Sequence, residues 1–579
     1  MKKRIALTAL GLAATSFVAW NMFRATVDAD RIFYGDNIIT MDPSQPSAEA
    51  VAILDDKIVF VGKLDEAKQL AGISTEMIDL GTKTLLPGLI DAHGHMMGVA
   101  AMAGFVNASS PPVGNMQSID DIVALLKAEL AARKPAEGEW LIAYGYDDSL
   151  LKENRHPTRD DLDKVSKDIP IYMIHVSGHL GAANSAALDA VSYTAATPNP
   201  EGGVIRRYAD SNEPNGVVEE KAATTMMMTQ LANPKILQFA RNVLKAEKIY
   251  ASYGVTTIQD GGSVLKVVKF FRLLGSLGLL TSDIGAYMGA LKPEGHSHGE
   301  PEIKDDHVDL IAAYEKDYRG SVRVAGVKFL LDGSPQGRTA WVTKPYNEGP
   351  EGAGADYVAY PTVEPQEFKA EAKKLLLAGV PILAHANGDA AIDLMLDGVE
   401  EAFAGKAIPD HRSVIIHAQL MRQDQLDRAK KLNVIPSFYS AHPFFWGDWH
   451  RKSFGDERAL NISPAASALA KGVPFTIHND SPVVPPDMMR LLWVAVNRET
   501  RSGFILGEGE RISPMEGLKA MTSTAAYQYF EEDKKGSLTE GKQADLVILD
   551  SNPIAVDPKT IKDIKVLETI AHGKTIFKR

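Results

Sequence analysis

Short apolar runs alternate with longer helix-forming stretches through the middle of the chain. This alternation is typical of parallel βα units, in which a helix follows each strand and crosses back over the sheet. Eight runs have the length and character of buried strands, starting near Leu85, Ile169, Val255, Val324, Val380, Val414, Val434 and Pro474. Because eight parallel strands close a (β/α)8 barrel, the pattern predicts a TIM barrel.

Both ends of the chain have a different sequence pattern, with short β-type runs separated by Gly or Asp turns. Runs of this kind are typical of strands. We expect residues 29–87 and 536–579 to build one small β-sandwich domain, with the barrel at residues 88–535 inserted between them. The predicted fold class is therefore α/β, a distorted (β/α)8 TIM barrel with a β-sandwich made from both chain ends.

Two gaps between the predicted barrel strands are too long for simple loops. Insertions are expected near residues 100–168 and 178–254, including a helix around 119–133 and a strand at 140–144. Long connections at a barrel mouth commonly carry function, so these insertions are expected to form a cap.

The first residues have the pattern of an export signal. A basic cluster of Lys2, Lys3 and Arg4 precedes residues 5–23, which are uncharged and mostly apolar. The basic end stays in the cytoplasm and directs the following chain across the membrane. Residues 1–28 are expected to be a signal peptide or an N-terminal membrane anchor, and residues 5–23 are near the lower length limit for a membrane tether. The protein is therefore predicted to be periplasmic, or anchored and facing the periplasm.

Composition narrows the available chemistry. The 579 residues include no cysteine, which excludes disulfides, thiol nucleophiles and thiolate-bound metals. Any metal must therefore use nitrogen and oxygen ligands. The formal net charge is −12 and no long basic run is present, which argues against nucleic acid as a partner. A small-molecule substrate is expected, and a homo-oligomer stays open.

Metal-type side chains recur at the ends of the predicted strands. The first pair is His93 and His95, which lie two positions apart on an extended chain and so face the same side, while Gly94 gives the backbone room. The other positions of this kind are Lys328, His385, His417 and Asp480. A barrel carries its catalytic groups at this end of its strands, and imidazole and carboxylate suit Zn²⁺ and similar ions. The pattern predicts a divalent metal centre.

Lys328 requires a separate interpretation because an ammonium group cannot ligate a cation. Within the apolar run 324–331 its pKa should fall, and the neutral amine could react with CO2 to give a carbamate. The two oxygens of a carbamate could bridge two metals. The alternative is a lysine in a salt bridge, for example with Asp332, but a buried lysine more often has a functional reason.

Six segments make the chain resemble the amidohydrolase superfamily. Within it, the chain is similar to the amidohydrolase-3 group, which includes N-substituted formamide deformylases and exoenzyme-regulatory-type proteins. The segments are LPGLIDAHGH at residues 86–95, VKFLLDGS at 327–334, HANGDAAID at 385–393, IHAQL at 416–420, NDSPV at 479–483 and GKQADLV at 541–547. The resemblance extends from about residue 30 to the end of the chain.

The resemblance implies a β-sandwich and a distorted barrel with one or two metal ions. It assigns His93, His95 and Asp480 to a first metal and His385 and His417 to a second, with carboxylated Lys328 as the bridge between them. It also places His179, in SGHLGAANS at residues 177–185, at the substrate site.

Two further features of the sequence stay open. His478 departs from the family pattern, in which a small residue is common, and is either an extra polar contact or, more simply, a packed histidine. The aromatic segment 441–450, expected to be a loop after the seventh strand, is either an apolar substrate wall or packing between barrel and helix.

The predicted reaction is hydrolysis of a C–N bond of the amide, N-acyl or formamide type by a metal-activated hydroxide. Asp480 is expected to act as general base and then general acid, and His179 to help hold the oxyanion. The alternatives are a lactonase or esterase, a deaminase on the same barrel, and a non-catalytic regulatory protein. The last is disfavoured because such a protein has no physical need for six ligand-type positions.

Overall fold

The computed structural model describes residues 28–579 except 137, 149, 177, 179, 201–202, 232–235, 291–308 and 351–352. The predicted signal or anchor segment therefore lies outside the described residues, apart from Asp28, and so does His179. No helix in the part of the chain that the structure describes is long and apolar enough to cross a bilayer.

Strands and helices alternate along most of the described chain. The strands are β1 (Arg31–Ile39), β2 (Ser47–Leu54), β3 (Lys57–Gly62), β4 (Glu76–Asp79), β5 (Thr84–Pro87), β6 (Leu89–Ile90), β7 (Val106–Asn107), β8 (Leu141–Tyr146), β9 (Ile171–His175), β10 (Leu180–Ala183), β11 (Gly203–Arg207), β12 (Pro214–Glu220), β13 (Val255–Ser263), β14 (Asp283–Gly289), β15 (Val322–Leu330), β16 (Ile382–Ala386), β17 (Val414–His417), β18 (Ile435–Phe438), β19 (Thr476–Ile477), β20 (Leu546–Leu549), β21 (Val566–Ala571) and β22 (Lys574–Lys578). The α-helices span Leu64–Ala67, Met96–Met102, Ile119–Arg133, Arg159–Asp163, Ser185–Ala190, Lys221–Leu231, Ile236–Ser252, Leu265–Ser276, Leu310–Ala313, Pro365–Leu377, Asp389–Ala402, Gln423–Leu432, His442–Phe454, Asp456–Ala459, Ala465–Lys471, Met488–Asn497, Pro514–Ala520 and Ser523–Gln528. Short 3-10 helices span Lys68–Leu70, Glu508–Glu510 and Pro558–Asp563.

A curled sheet of eight parallel strands forms the centre of the molecule. The strand order is β6-β13-β14-β15-β16-β17-β18-β19, and each pair of neighbours is parallel. Backbone bonds link the segments that follow its two edge strands, from Asp480 N to His93 O at 3.0 Å and from His95 N to Ser481 O at 2.8 Å. The fold is therefore an α/β fold of the TIM-barrel type, as the sequence predicted.

Strand β15 shows how the two faces of this sheet differ, because one packs on a helix and the other points into the barrel. Its sequence VRVAGVKFL is buried at every position except the last, as expected for a parallel strand covered on both faces. Successive side chains point to opposite faces. Phe329 packs edge-to-face on Phe368 of the helix Pro365–Leu377, with ring centroids 5.1 Å apart. Lys328 therefore points the other way, into the barrel.

The two ends of the chain share one sheet. Its order is β22-β21-β20-β5-β1-β2-β3, with β4 paired to β1, so strands from residues 31–87 and 546–578 lie side by side. This arrangement brings the chain ends together as expected. The two-layer sandwich form of this unit stays a prediction.

A six-stranded sheet, with the order β11-β12-β10-β9-β8-β7, lies in the chain between β6 and β13. It contains the run near Ile169, so the assignment of that run to the barrel was wrong, because β9 pairs with β8 and β10 instead. The missing barrel strand is β14, whose two glycines and leading Asp283 hide its strand character. The Leu85 run is divided between β5, in the chain-end sheet, and β6, in the barrel.

Candidate metal centre

His93 and His95 follow β6 and present their Nε2 atoms to a common point. Nδ1 of His93 lies 2.6 Å from Oε1 of Gln259, and Nδ1 of His95 lies 2.6 Å from the carbonyl oxygen of Gly261. Because these oxygens can only accept, each ring carries its proton on Nδ1 and keeps a lone pair on Nε2. Both partners come from β13. The neighbouring strand therefore sets both rings in the form that binds a metal.

Asp480 completes a compact group with these two histidines. Its Oδ1 lies 3.4 Å from Nε2 of His95 and 3.6 Å from Nε2 of His93, and the three ligand atoms all fall within 4.8 Å of one another. Its backbone is in the left-handed region with φ of 54°. Burial would raise the pKa of Asp480, but its polar contact with the His95 ring and the positive charge of Lys328 hold that pKa below its usual value. The carboxylate is therefore ionised and available to a cation.

Lys328 lies against this group and is only 3% exposed. Its Nζ donates to Nε2 of His93 at 2.8 Å. Burial lowers the pKa of Lys328 to about 7, although the charge of Asp480 opposes the shift. Asp332 is engaged elsewhere, since it accepts from the backbone N–H groups of Asn387 and Gly388 at 3.0 and 2.7 Å. Lys328 thus contacts the candidate metal centre, and its contacts support this interpretation over a salt bridge with Asp332.

His385 and His417 stand beside the compact group. Their ring centroids are 4.5 Å apart, and the ring of His417 lies 6.1 Å from that of His93. Nδ1 of His385 lies 3.2 Å from Oδ1 of Asp332. The compact group of three ligand atoms does not extend to these histidines. The structure thus brings all six predicted side chains to one end of the barrel. His93, His95 and Asp480 form a tight set of three, Lys328 lies against it, and His385 and His417 form an adjoining pair.

Sequence reasoning missed the side chains that support this group. Asp91 is fully buried, and its Oδ1 accepts from the backbone N–H of His93 at 3.2 Å. Its Oδ2 has no hydrogen-bond partner, and burial raises the pKa of Asp91 to about 7. Gln259 was also missed, because its role depends on a bond across 166 residues of chain. The signal for Asp91 was local, a carboxylate placed two residues before the first histidine.

A second group with ligand chemistry lies in the inserted sheet, where β8 and β9 end. It comprises Asp147, Asp148 and His175, whose ligand atoms fall within 4.8 Å of one another. Nε2 of His175 lies 2.9 Å from Oδ1 of Asp148, and Nε2 of His156 lies 3.7 Å from Oδ2 of the same residue. This group was not predicted from the sequence, although the Asp pair directly after a strand was a visible signal.

The aromatic segment 441–450 is helical, so the expectation of a loop was wrong. The helix His442–Phe454 begins with a Pro in its first turn, a position where Pro is well tolerated. The ring of His442 lies 6.1 Å from that of His417, whereas Phe444 packs on Trp493 at 5.5 Å. One side of the segment therefore packs on the core and one end lies beside the centre, while its role as a substrate wall stays a prediction.

The residues of this site fit a divalent cation. Two imidazoles with fixed tautomers and an ionised carboxylate are hard-to-borderline nitrogen and oxygen donors, which zinc and similar ions prefer. They lie at the strand ends of a TIM-type barrel, the position of the active site in such enzymes. Fold and site together define a metal-dependent hydrolase.

Comparison with known proteins gives the family. The profile of the amidohydrolase family matches residues 76–577, and this chain belongs to that family. It is therefore a metal-binding hydrolase that acts on carbon–nitrogen bonds, as the sequence predicted. The lactonase, esterase, deaminase and regulatory alternatives are not better supported.

Individual relatives extend over most of the chain. The chain is 27% identical over 559 residues to an N-substituted formamide deformylase of Arthrobacter pascens, covering 95% of this chain and 98% of that protein. It is 30% identical over 414 residues to the exoenzymes regulatory protein AepA of Pectobacterium carotovorum, covering 70% and 83%. Its fold resembles the crystal structure of an uncharacterised metal-dependent hydrolase from Pyrococcus horikoshii, with a TM-score of 0.69, 22% identity and coverage of 91% and 99%.

Proposed function

We propose that this protein hydrolyses the C–N bond of an N-substituted formamide or a related N-acyl compound. The observation that carries the proposal is the convergence of His93, His95 and Asp480, whose ligand atoms lie within 4.8 Å of one another at the barrel end. The similarity to a formamide deformylase over nearly the whole chain supports the substrate class.

His93, His95 and Asp480 would hold one ion, and His385 and His417 a second. Zn²⁺ is the metal that these donors suit best. When bound, such an ion supplies Lewis-acid polarisation of the substrate carbonyl and lowers the pKa of a coordinated water. A carbamate on Lys328 would offer oxygen ligands beside both sets of residues. It would form when the amine nitrogen attacks CO2, so that an N–C bond forms, one C–O π bond breaks with its electron pair going to oxygen, and nitrogen releases one proton.

Asp480 has the geometry and charge of the general base. Its pKa is held below its usual value, so it is ionised when substrate arrives. It would take the proton of the attacking water and then donate that proton to the leaving nitrogen, whose bond to the carbonyl carbon breaks. His179 would donate a hydrogen bond to the oxygen that gains charge in this step. The products are an amine and formate, or the corresponding carboxylate.

A substrate panel with parallel metal analysis tests the proposal. The purified protein would be assayed on N-substituted formamides, matched N-acetyl amides, a lactone, a phosphotriester and adenine. We expect amine release from the formamide or N-acyl members, with one or two Zn²⁺ ions per chain. Faster turnover of the lactone, phosphotriester or adenine would contradict the substrate class. A metal-free, inactive protein that stays inactive after Zn²⁺ addition would contradict the whole proposal.

Two further parts of the proposal, modification of Lys328 and export of the protein, have separate tests. Carboxylation of Lys328 would add about 44 mass units to the intact protein under mild conditions. We also propose that the protein is exported, on the basis of the basic cluster and apolar stretch in residues 2–23. N-terminal sequencing of protein from the periplasmic and membrane fractions tests this, and recovery only in the cytoplasm with an intact N-terminus would refute it.

A further inference from the structure

We propose that His478 is a positioning residue that fixes the tautomer and ring orientation of His417. The proposal rests on the metal centre described under the proposed function. His478 directly follows β19 and is fully buried. Its Nε2 lies 3.2 Å from Nδ1 of His417, and its Nδ1 lies 2.8 Å from Oγ of Ser437. Three side chains on neighbouring strand ends thus form one hydrogen-bonded chain.

The direction of this chain determines whether His417 can bind a metal. An imidazole that ligates through Nε2 carries its proton on Nδ1 and donates it. The acceptor for that donation is Nε2 of His478, which places the proton of His478 on Nδ1 and directs it to Ser437. In the reverse direction Nε2 of His417 would be protonated and would have no lone pair for a cation. The hydroxyl of Ser437 can accept, so the productive direction is available.

The other histidines of the centre follow the same principle. Nδ1 of His93 is held by Gln259 and Nδ1 of His95 by the Gly261 carbonyl, both at 2.6 Å. Metal-binding histidines usually have such a partner, and its loss typically costs 10- to 100-fold in metal affinity or activity. For His417, which has an uncommon φ of 73°, the corresponding partner is a second imidazole. His478 therefore supplies what a strand carbonyl or amide supplies elsewhere.

Simple packing does not account for this arrangement. The ring of His478 stacks on Tyr439, with centroids 5.4 Å apart and planes 10° apart. A phenylalanine could fill that space and preserve the stack. Packing alone would not require a polar partner at each ring nitrogen. The two hydrogen bonds distinguish a positioning role from that of a filler.

The test compares His478→Phe with His478→Gln. The phenylalanine keeps the ring but has no acceptor, whereas the amide oxygen of glutamine can accept from Nδ1 of His417. A matched control is His411→Phe, because His411 is also buried and bonded to a serine, with Nδ1 2.9 Å from Oγ of Ser413, but its Nε2 contacts the Leu432 carbonyl at 2.8 Å. The readouts are the affinity for Zn²⁺, the absorption spectrum after Co²⁺ substitution, and the melting temperature of metal-free protein.

We expect His478→Phe to bind the ion assigned to His385 and His417 10- to 100-fold less tightly, with an altered Co²⁺ spectrum and a metal-free melting temperature close to that of the wild type. His478→Gln should recover most of the affinity, and His411→Phe should bind metal as the wild type does. Wild-type affinity and spectrum in His478→Phe would overturn the proposal, as would equal losses in folded His478→Phe and His478→Gln. If His478→Phe does not fold, the glutamine variant and Ser437→Ala decide. Wild-type metal binding in His478→Gln and a severalfold loss in Ser437→Ala support the proposal, whereas no loss in Ser437→Ala overturns it.

Failure of this inference and failure of the proposed function give different results. A wild-type protein that binds no divalent ion overturns the metal centre and the positioning role together. A wild-type protein that binds metal, beside a His478→Phe variant that binds it equally well, overturns the positioning role alone.

Discussion

Replacing Gly94 with alanine tests whether the His-x-His segment is held as tightly as the structure indicates. A Cβ on Gly94 would lie 2.4 Å from Oδ2 of Asp91, 3.1 Å from the hydroxyl of Tyr250 and 3.2 Å from Oδ1 of Asn479. Contacts between non-bonded heavy atoms are comfortable at roughly 3.5 Å, so the first overlap is about 1 Å. Gly94 does not need a left-handed conformation, so the steric overlap alone carries the prediction.

The protein can relieve this overlap in two ways, and both damage the site. Asp91 can move and lose its bond to the His93 backbone, or the segment from His93 to His95 can shift toward the centre. Overpacking of a tight interior typically costs about 1–3 kcal/mol. We therefore expect the metal-free protein to lose stability by that amount. Because the shift displaces two ligands, metal affinity should fall by roughly 10- to 100-fold, as it does when supporting contacts are lost.

The assay combines chemical denaturation of metal-free protein, metal content after dialysis, and kcat/KM on the best substrate of the panel. The control is Gly509→Ala, because a Cβ at Gly509 has no heavy atom within 4 Å and no left-handed conformation to strain. The control should match the wild type in all three measurements. Wild-type metal content and activity in Gly94→Ala would show that the site tolerates movement of these histidines, and the reasoning would be refuted.

Three further predictions concern the general base, the metal, and the buried carboxylate of Asp283 at the start of β14. Asp480→Asn should retain metal and lose about 10²- to 10⁴-fold in kcat; near-normal turnover in metal-loaded Asp480→Asn protein would contradict the general-base assignment. Removal of metal by a chelator should abolish activity, and adding the metal back should restore it. Compared with protein in free metal at 100 times the Kd, the metal-free protein should be less stable by about 2.7 kcal/mol. An unchanged melting temperature would argue against a structural contribution of the metal. Burial would raise the pKa of Asp283, but the Lys535 ammonium and a hydrogen bond from His572 hold it well below its usual value. The stability that Asp283 contributes is therefore present above its unfolded pKa of about 3.9 and is lost as the pH falls below it. In Asp283→Asn, the free energy of unfolding should fall less steeply as the pH is lowered through this range. A pH dependence identical to that of the wild type would contradict the assignment.

The side chains that the sequence predicted for the metal site lie together in the structure, whereas the predicted set of barrel strands was wrong at one position. Catalytic groups of a barrel lie where strands end, so a histidine at the end of an apolar run is a local signal, and His385 and His417 were identified in this way. An apolar run alone does not reveal its partners. The run near Ile169 has the character of a barrel strand, but its neighbours β8 and β10 belong to the inserted sheet.

The contacts that orient the site histidines could not be predicted from the sequence either, because their partners lie far away along the chain. The partners of His93 and His417 are Gln259, 166 residues away, and His478, 61 residues away. A polar residue in an apolar run has many explanations until the fold places it beside a particular ring nitrogen. His478 illustrates this, because its sequence context favours a packed histidine, whereas its two hydrogen-bonded nitrogens indicate a partner for His417.

Strand β15 connects the stability of the fold to the chemistry of the site. A shift of one residue in its register would exchange the directions of Lys328 and Phe329, placing an amine against the helix and a ring in the centre. The edge-to-face contact of Phe329 with Phe368, with centroids 5.1 Å apart, opposes that shift. So does the pairing of Lys328 with Leu383 and of Leu330 with His385 on β16. The same register that fills the core therefore delivers the Lys328 amine to within 2.8 Å of Nε2 of His93.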